Sequence, residues 1–248
     1  MILQKQLLTI KNLKKDFTTA SQQSQILKGV SLEINDGDFL IIYGPSGCGK
    51  STFLHVLLGL EKPSSGNVLF REKNLYSLSE DQRADLRKKT IGMVYQQSYW
   101  IQSRTVLQNV AFPLTLLGFS REKAYQKAKE KLQLMGMIDW QNHFPTELSS
   151  GQQQRVAVAR AIINEPDLIV TDEPTGNLDS KASVSLMNIL KQLNQSGKTI
   201  IMVTHDLEFL GFGSRVIKMS DGLIVSDGDS TSVDVSEIAK NGKRNIDL

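Results

Sequence analysis

Hydrophobic positions fall in short runs whose period changes along the chain. LLTIKNL, ILKGVSLEI and DFLIIY read as β-strands, and Phe39 to Tyr43 is apolar on both faces, the pattern of a buried parallel strand. From Lys50 to Leu60 the spacing turns helical. GNVLF reads as a strand after the turn from Pro63 to Gly66. Ser79-Glu80-Asp81-Gln82 has the S-x-x-Q form of a capping box and opens a basic helix, and IGMVYQ is the next strand. Residues from about 98 to 165 read as all-helical: a segment from Thr105, another from Ser120 to Met135, and a third from about Gly151 to Asn164. After Pro166 the alternation of strand and helix returns. DLIVTDE is a strand, Ser180 to Gln195 a helix and KTIIMVTH a strand, while RVIKM and LIVS pair as a hairpin with Asp221-Gly222 at its turn. From Asp227 onward the chain is polar and reads as a loose tail. The layout predicts an α/β core interrupted by a helical insert, with no internal repeat.

Composition narrows the class. The chain has 248 residues, 40% of them apolar and 22% charged, enough for a sizeable core and incompatible with wholesale disorder. The formal net charge is only +3, and the clusters Arg87-Lys88-Lys89 and Lys14-Lys15 are short, so they read as solvated faces and no nucleic-acid partner is expected. Cys48 is the one cysteine, which excludes an internal disulfide and fits a reducing compartment. No apolar run approaches the ~20 residues that span a bilayer. The N-terminal MILQKQLLTIKNLKK interleaves charged with apolar residues, unlike a signal peptide. A cytoplasmic chain is expected, with any membrane connection supplied by a partner.

The chemistry begins at Gly44-Pro45-Ser46-Gly47-Cys48-Gly49-Lys50-Ser51, followed by Thr52, a full match to G-x-x-x-x-G-K-S between a strand and a helix. A triphosphate needs many N–H donors converging at close range, and glycines let the backbone wrap tightly enough to present them. The first helical turn adds unpaired N–H groups and the positive end of a dipole. Lys50 is expected to reach the β- and γ-phosphates, and Ser51 to place its hydroxyl on Mg²⁺. Cys48 fills a free position as a small turn residue. A second apolar run, Leu168 to Thr171, delivers Asp172 and Glu173 to a strand's C-terminal end, where open α/β sheets bind ligands. Asp172 is expected to hold Mg²⁺ and Glu173 to polarise the attacking water as general base.

About twenty residues before Asp172, Leu148-Ser149-Ser150-Gly151-Gln152 closely resembles the LSGGQ signature of ABC ATPases, and the similarity runs on through QQQRVAVARAIINEPDLIVTDEPTGNLDS. Six motifs stand in that family's order, from LTIKNL to the Asp221-Gly222 hairpin. The resemblance implies a P-loop NTPase, with a RecA-like core, an inserted α-helical subdomain and an N-terminal antiparallel β subdomain. It places core and β subdomain at about 1–97 and 166–228, the helical subdomain at about 98–165, and a polar tail at 229–248. It also implies roles. Phe17 takes the position of an aromatic that stacks on adenine; its other reading is a core aromatic on an edge strand. Gln96 matches the glutamine that reaches Mg²⁺ and the water, with Gln97 beside it the weaker candidate. His205 matches a switch histidine near the γ-phosphate, and Asn177-Leu178-Asp179 a loop that crosses a dimer. Nothing catalytic matches His55 or His143. Ser150 departs from the family's glycine. At positive φ a serine there is a handicap of about 1 kcal/mol or more, and at negative φ it changes little.

In that family Ser149, Gly151 and Gln152 of one copy face the γ-phosphate held by a second copy, so the resemblance implies a homodimer with two ATP at the interface. It further implies that the helical subdomain, including WIQSRTVLQNVAFPLTLLG, docks an integral membrane permease, which places the chain on the inner face of the cell membrane. TDEPTGNLD and VLQNVAFPL are similar to one branch: lipoprotein-release, macrolide- and peptide-exporter and cell-division ATPases. The alternatives are an importer ATPase for a small solute and a soluble ABC ATPase outside transport.

Overall fold

The long alternating runs at the N-terminus form a hairpin in the computed structural model, which describes residues 5–18 and 23–230. β1 (Gln6–Thr18) pairs antiparallel with β2 (Gln23–Asn35). β3 (Phe39–Tyr43) is buried at every residue, as its two-sided apolar run requires. It leads through the glycine loop into α1 (Lys50–Leu57). β4 (Ser65–Phe70) pairs antiparallel with β1, and the two-residue β5 (Lys73–Asn74) with β4. An antiparallel sheet in the order β2-β1-β4-β5 results. These elements belong to the first of two units, Met1–Ser79 with Ile201–Leu248; the second is Glu80–Ile200.

The second unit opens with α2 (Glu80–Thr90), which buries no residue. Its Glu80 is ion-paired with Arg83 and Arg87, and its Asp85 with Lys88 and Lys89; of the basic cluster Lys88 and Lys89 are exposed and Arg87 is half-buried. β6 (Ile91–Tyr95) runs parallel to a later strand. Three helices follow: α3 (Val106–Leu116), α4 (Arg121–Leu134) and α5 (Ser150–Ala161). Thr105 and Ser149 cap α3 and α5 through reciprocal capping boxes with Gln108 and Gln152, and Ser120 caps α4. Small residues Ala124 and Ala128 with Leu132 form the buried stripe of α4. β7 (Leu168–Asp172) is the parallel partner of β6. α6 (Ser180–Gln195) buries Ser183, Leu186, Met187 and Leu190, the i, i+3, i+4, i+7 stripe of an amphipathic helix.

β8 (Thr199–Thr204), buried throughout, carries the chain back to the first unit. There β9 (Arg215–Ser220) runs parallel to β3, and β10 (Leu223–Asp229) pairs antiparallel with β9. Asp221 and Gly222, at φ 47° and 75°, make the tight turn that the Asp-Gly pair predicts. β10 runs two residues beyond Asp227 because Arg215 grips that carboxylate with two hydrogen bonds, of 2.7 and 2.5 Å. The rest of the expected tail, residues 231–248, lies outside the described residues. Lys15 departs from the expected solvated pair: it is 9% exposed, bonded to Glu61 at 2.5 Å and to the Lys62 carbonyl at 2.8 Å.

Candidate nucleotide site

In the first unit, β3 delivers the chain at Gly44 and α1 takes it up at Lys50. A side chain at Gly44 would put Cβ 2.1 Å from the Met219 carbonyl oxygen, and Gly49, the N-cap of α1, sits at φ 103°. Only glycine meets both demands. Cys48 N–H donates to the Pro45 carbonyl at 3.3 Å, and the Cys48 carbonyl accepts from Gly222 at 3.1 Å, so hairpin and loop are joined through main chain. The Lys50 ammonium donates to the carbonyls of Gly44 and Pro45, at 2.8 and 3.0 Å, and the residue is 7% exposed. Gly47, Gly49, Lys50, Ser51 and Thr52 line a cavity of 290 Å³ with Ile26 of β2. Pro45, Ser46 and Gly47 are exposed at its tip. The first turn of α1 holds no acid to oppose an anion. Positive helix end, backbone donors and buried lysine therefore fit a phosphate chain.

Phe17 stands opposite Ser24 in the β1–β2 register, two residues before Ile26. Its ring is 40% exposed, so it is not a core aromatic, and the Lys15 ammonium lies 4.6 Å from the ring centre. His205 follows β8 with an exposed imidazole, 3.7 Å from the Asp206 carboxylate. His55 is on the surface, and His143 packs against Trp140 with ring centres 4.8 Å apart.

In the second unit, Tyr95 and Asp172 are register partners at the ends of β6 and β7, so Gln96 and Glu173 leave adjacent strands side by side. Glu173 has φ 49°, a left-handed backbone costing about 1–2 kcal/mol in a non-glycine residue. The exposed Gln96 side chain lies over Gly176, where an added Cβ would come 2.7 Å from its amide nitrogen. Asp179 caps α6 by accepting from Ala182 N–H at 2.7 Å. Ser149, Gly151, Gln152 and Asp179 line one cleft of 400 Å³, together with Arg155 and Lys181. Two helix N-termini meet there, and a Cβ on Gly151 would stand 3.1 Å from that of Ala182. Ser150 is the first residue of α5 and is not at positive φ, so the serine carries no backbone strain.

Three further α5 side chains hold the segment after Gln96, and sequence reasoning did not single them out. Gln153 accepts from the Trp100 indole at 3.0 Å. Arg160 stacks on the same ring at 4.4 Å and donates to the Tyr99 carbonyl at 2.8 Å; burial lowers its pKa to about 10. Gln154 is 4% exposed. The signal was present: Gln154 shares the buried stripe of α5 with Val158 and Ala161.

A glycine loop that feeds a helix N-terminus and wraps a buried lysine defines a P-loop nucleotide-binding protein. The ABC transporter family model matches residues 27–176, and the chain belongs to that family as one of its ATP-hydrolysing cassettes. An uncharacterised ABC transporter ATP-binding protein of Methanocaldococcus jannaschii is 46% identical over 217 residues, 87% of this chain and 96% of that protein. The macrolide export ATP-binding/permease protein MacB of Bdellovibrio bacteriovorus is 42% identical over 223 residues, 89% of this chain but 34% of that protein. The dimeric post-hydrolysis structure of the cassette MJ0796 with ADP and Pi has a TM-score of 0.84 at 38% identity, covering 90% of this chain and 99% of that one. No helix among the described residues is long and apolar enough to cross a membrane.

Proposed function

We propose that the chain works as one half of an ATP-driven homodimer, which moves an integral membrane permease of the exporter or force-transmitting kind from the cytoplasmic face. The observation that carries this reading is the 400 Å³ cleft lined by Ser149, Gly151, Gln152 and Asp179. It gathers two helix N-termini and Lys181 in a unit, Glu80–Ile200, that contains no phosphate-binding loop. Such a cleft takes the terminal phosphate presented by the loop of a second copy. The dimeric state of MJ0796 with ADP and Pi supports the pairing, and the similarity to MacB supports an exporter partner.

In this reading the loop Gly44–Thr52 holds the phosphates and Phe17 stacks on the adenine. Glu173 orients and deprotonates the attacking water, with Gln96 and His205 flanking the γ-phosphate. Ser51, Asp172 and Gln96 supply hard oxygen donors that fit Mg²⁺, which neutralises phosphate charge when bound. The helices within about 98–165 form the surface for the permease. The nucleotide-binding body comprises about 1–97 and 166–228.

The test is a pull-down of tagged Glu173→Gln from native membranes in mild detergent with ATP. Co-purification of a permease with few spans and a large external domain is expected. A many-span permease would overturn the exporter assignment, and purely soluble or nucleic-acid partners would overturn transport.

A further inference from the structure

The Gln154 side chain holds three carbonyls that belong to the catalytic segments. Its amide nitrogen donates to Tyr95 at 3.0 Å, to Gln96 at 3.3 Å and to Pro174 at 3.1 Å, and its oxygen accepts from the Ser98 hydroxyl at 3.3 Å. Tyr95 ends β6 and Gln96 follows it; Pro174 directly follows the left-handed Glu173. The side chain itself comes from α5, whose first turn carries Ser149, Gly151 and Gln152. One buried amide thus ties the signature helix to the exits of two adjacent strands. Two N–H hydrogens serve three acceptors, so every carbonyl depends on the amide's exact orientation. A buried carbonyl that loses its donor keeps its full desolvation penalty, and the backbone shifts to relieve it.

We infer that Gln154 is a positioning residue for hydrolysis: it transmits the placement of the signature helix to Gln96 and to the turn that fixes Glu173. This rests on the roles proposed above for Glu173 and Gln96. Its hydrogen bonds go to Tyr95, Gln96, Ser98 and Pro174, and the phosphates are assigned to Gly44–Thr52, so nucleotide affinity should be independent of it.

The experiment compares ATP hydrolysis by the full chain in wild type, Gln154→Met, Gln154→Lys and Glu173→Gln, with thermal unfolding of each. Gln154→Met keeps the shape and removes the donors. Its kcat should fall at least tenfold, while KM for ATP stays within twofold. Gln154→Lys restores an ammonium with three donors and should recover kcat to within about threefold of wild type. A merely structural role would lower the unfolding midpoint of Gln154→Met and leave its kcat near wild type below that midpoint; this result, with slow Glu173→Gln, overturns the inference alone. If Gln154→Met does not fold, Gln154→Lys decides, and a tenfold slower folded enzyme overturns the inference. Normal hydrolysis by Glu173→Gln overturns the underlying reading and the inference with it.

Discussion

Lys50 illustrates how much one residue carries. Its ammonium is buried among carbonyl oxygens of its own loop, and no other lysine lines that cavity. Lys50→Ala should therefore lower ATP affinity at least a hundredfold in a calorimetric titration, with the unfolding midpoint little changed. Ser150 predicts the opposite kind of result. Because it occupies the first helical position at ordinary φ, Ser150→Gly should leave the hydrolysis rate within twofold and stability within about 0.5 kcal/mol. A large gain of activity would mean that the departure from the family's glycine matters for reasons other than backbone. Gly44 and Asp172 could be named from sequence because motif spacing marks them, and Ser149 because the signature resembles that of the family. Gln154 was marked only by its place on the apolar stripe of α5, and its importance lies in three carbonyls brought together only by folding. The left-handed backbone of Glu173 was equally invisible, since nothing in the residue type announces it.

At the scale of elements, the helix starts were legible to within a residue because their caps are local chemistry, while the expected ends of α1 and α5, Leu60 and Asn164, lie three residues past the observed Leu57 and Ala161. Thr105, Ser120 and Ser149 each precede a helix and accept from its first turn. The Asp-Gly turn was legible for the same reason. What escaped was set at longer range: the extension of β10 by Arg215, the burial of Lys15 under Glu61, and the two-residue β5. The cap of α5 has a double duty in the proposed dimer. Ser149→Ala should cost about 1 kcal/mol in chemical denaturation from the lost cap alone. It should also weaken ATP-driven dimerisation several-fold, measured by sedimentation. Loss of stability without loss of dimerisation would confine Ser149 to capping.

For the whole molecule, the proposed cycle makes assembly depend on the γ-phosphate, the ligand that differs between states. Glu173→Gln with ATP should elute as a dimer in size exclusion, and with ADP as a monomer. A monomer under both nucleotides would argue that the permease is required for closure or that Glu173 is not the base. Recognition of the fold itself needed no structure, because six motifs in fixed order carry it. Substrate identity has no such trace in this chain; in the proposed complex the residues that select it belong to the permease.

The main-chain bond from Gly222 to Cys48 has a kinetic consequence. The loop's shape is dictated by backbone contacts at 3.1 Å to a neighbouring hairpin and by its own lysine, so little chain freedom remains to be lost on capture. Nucleotide association should then be a single-exponential process whose rate rises linearly with concentration, without the plateau that marks a slow loop rearrangement. Speed of loading would be limited by encounter, and the pace of the machine by what two copies do afterwards.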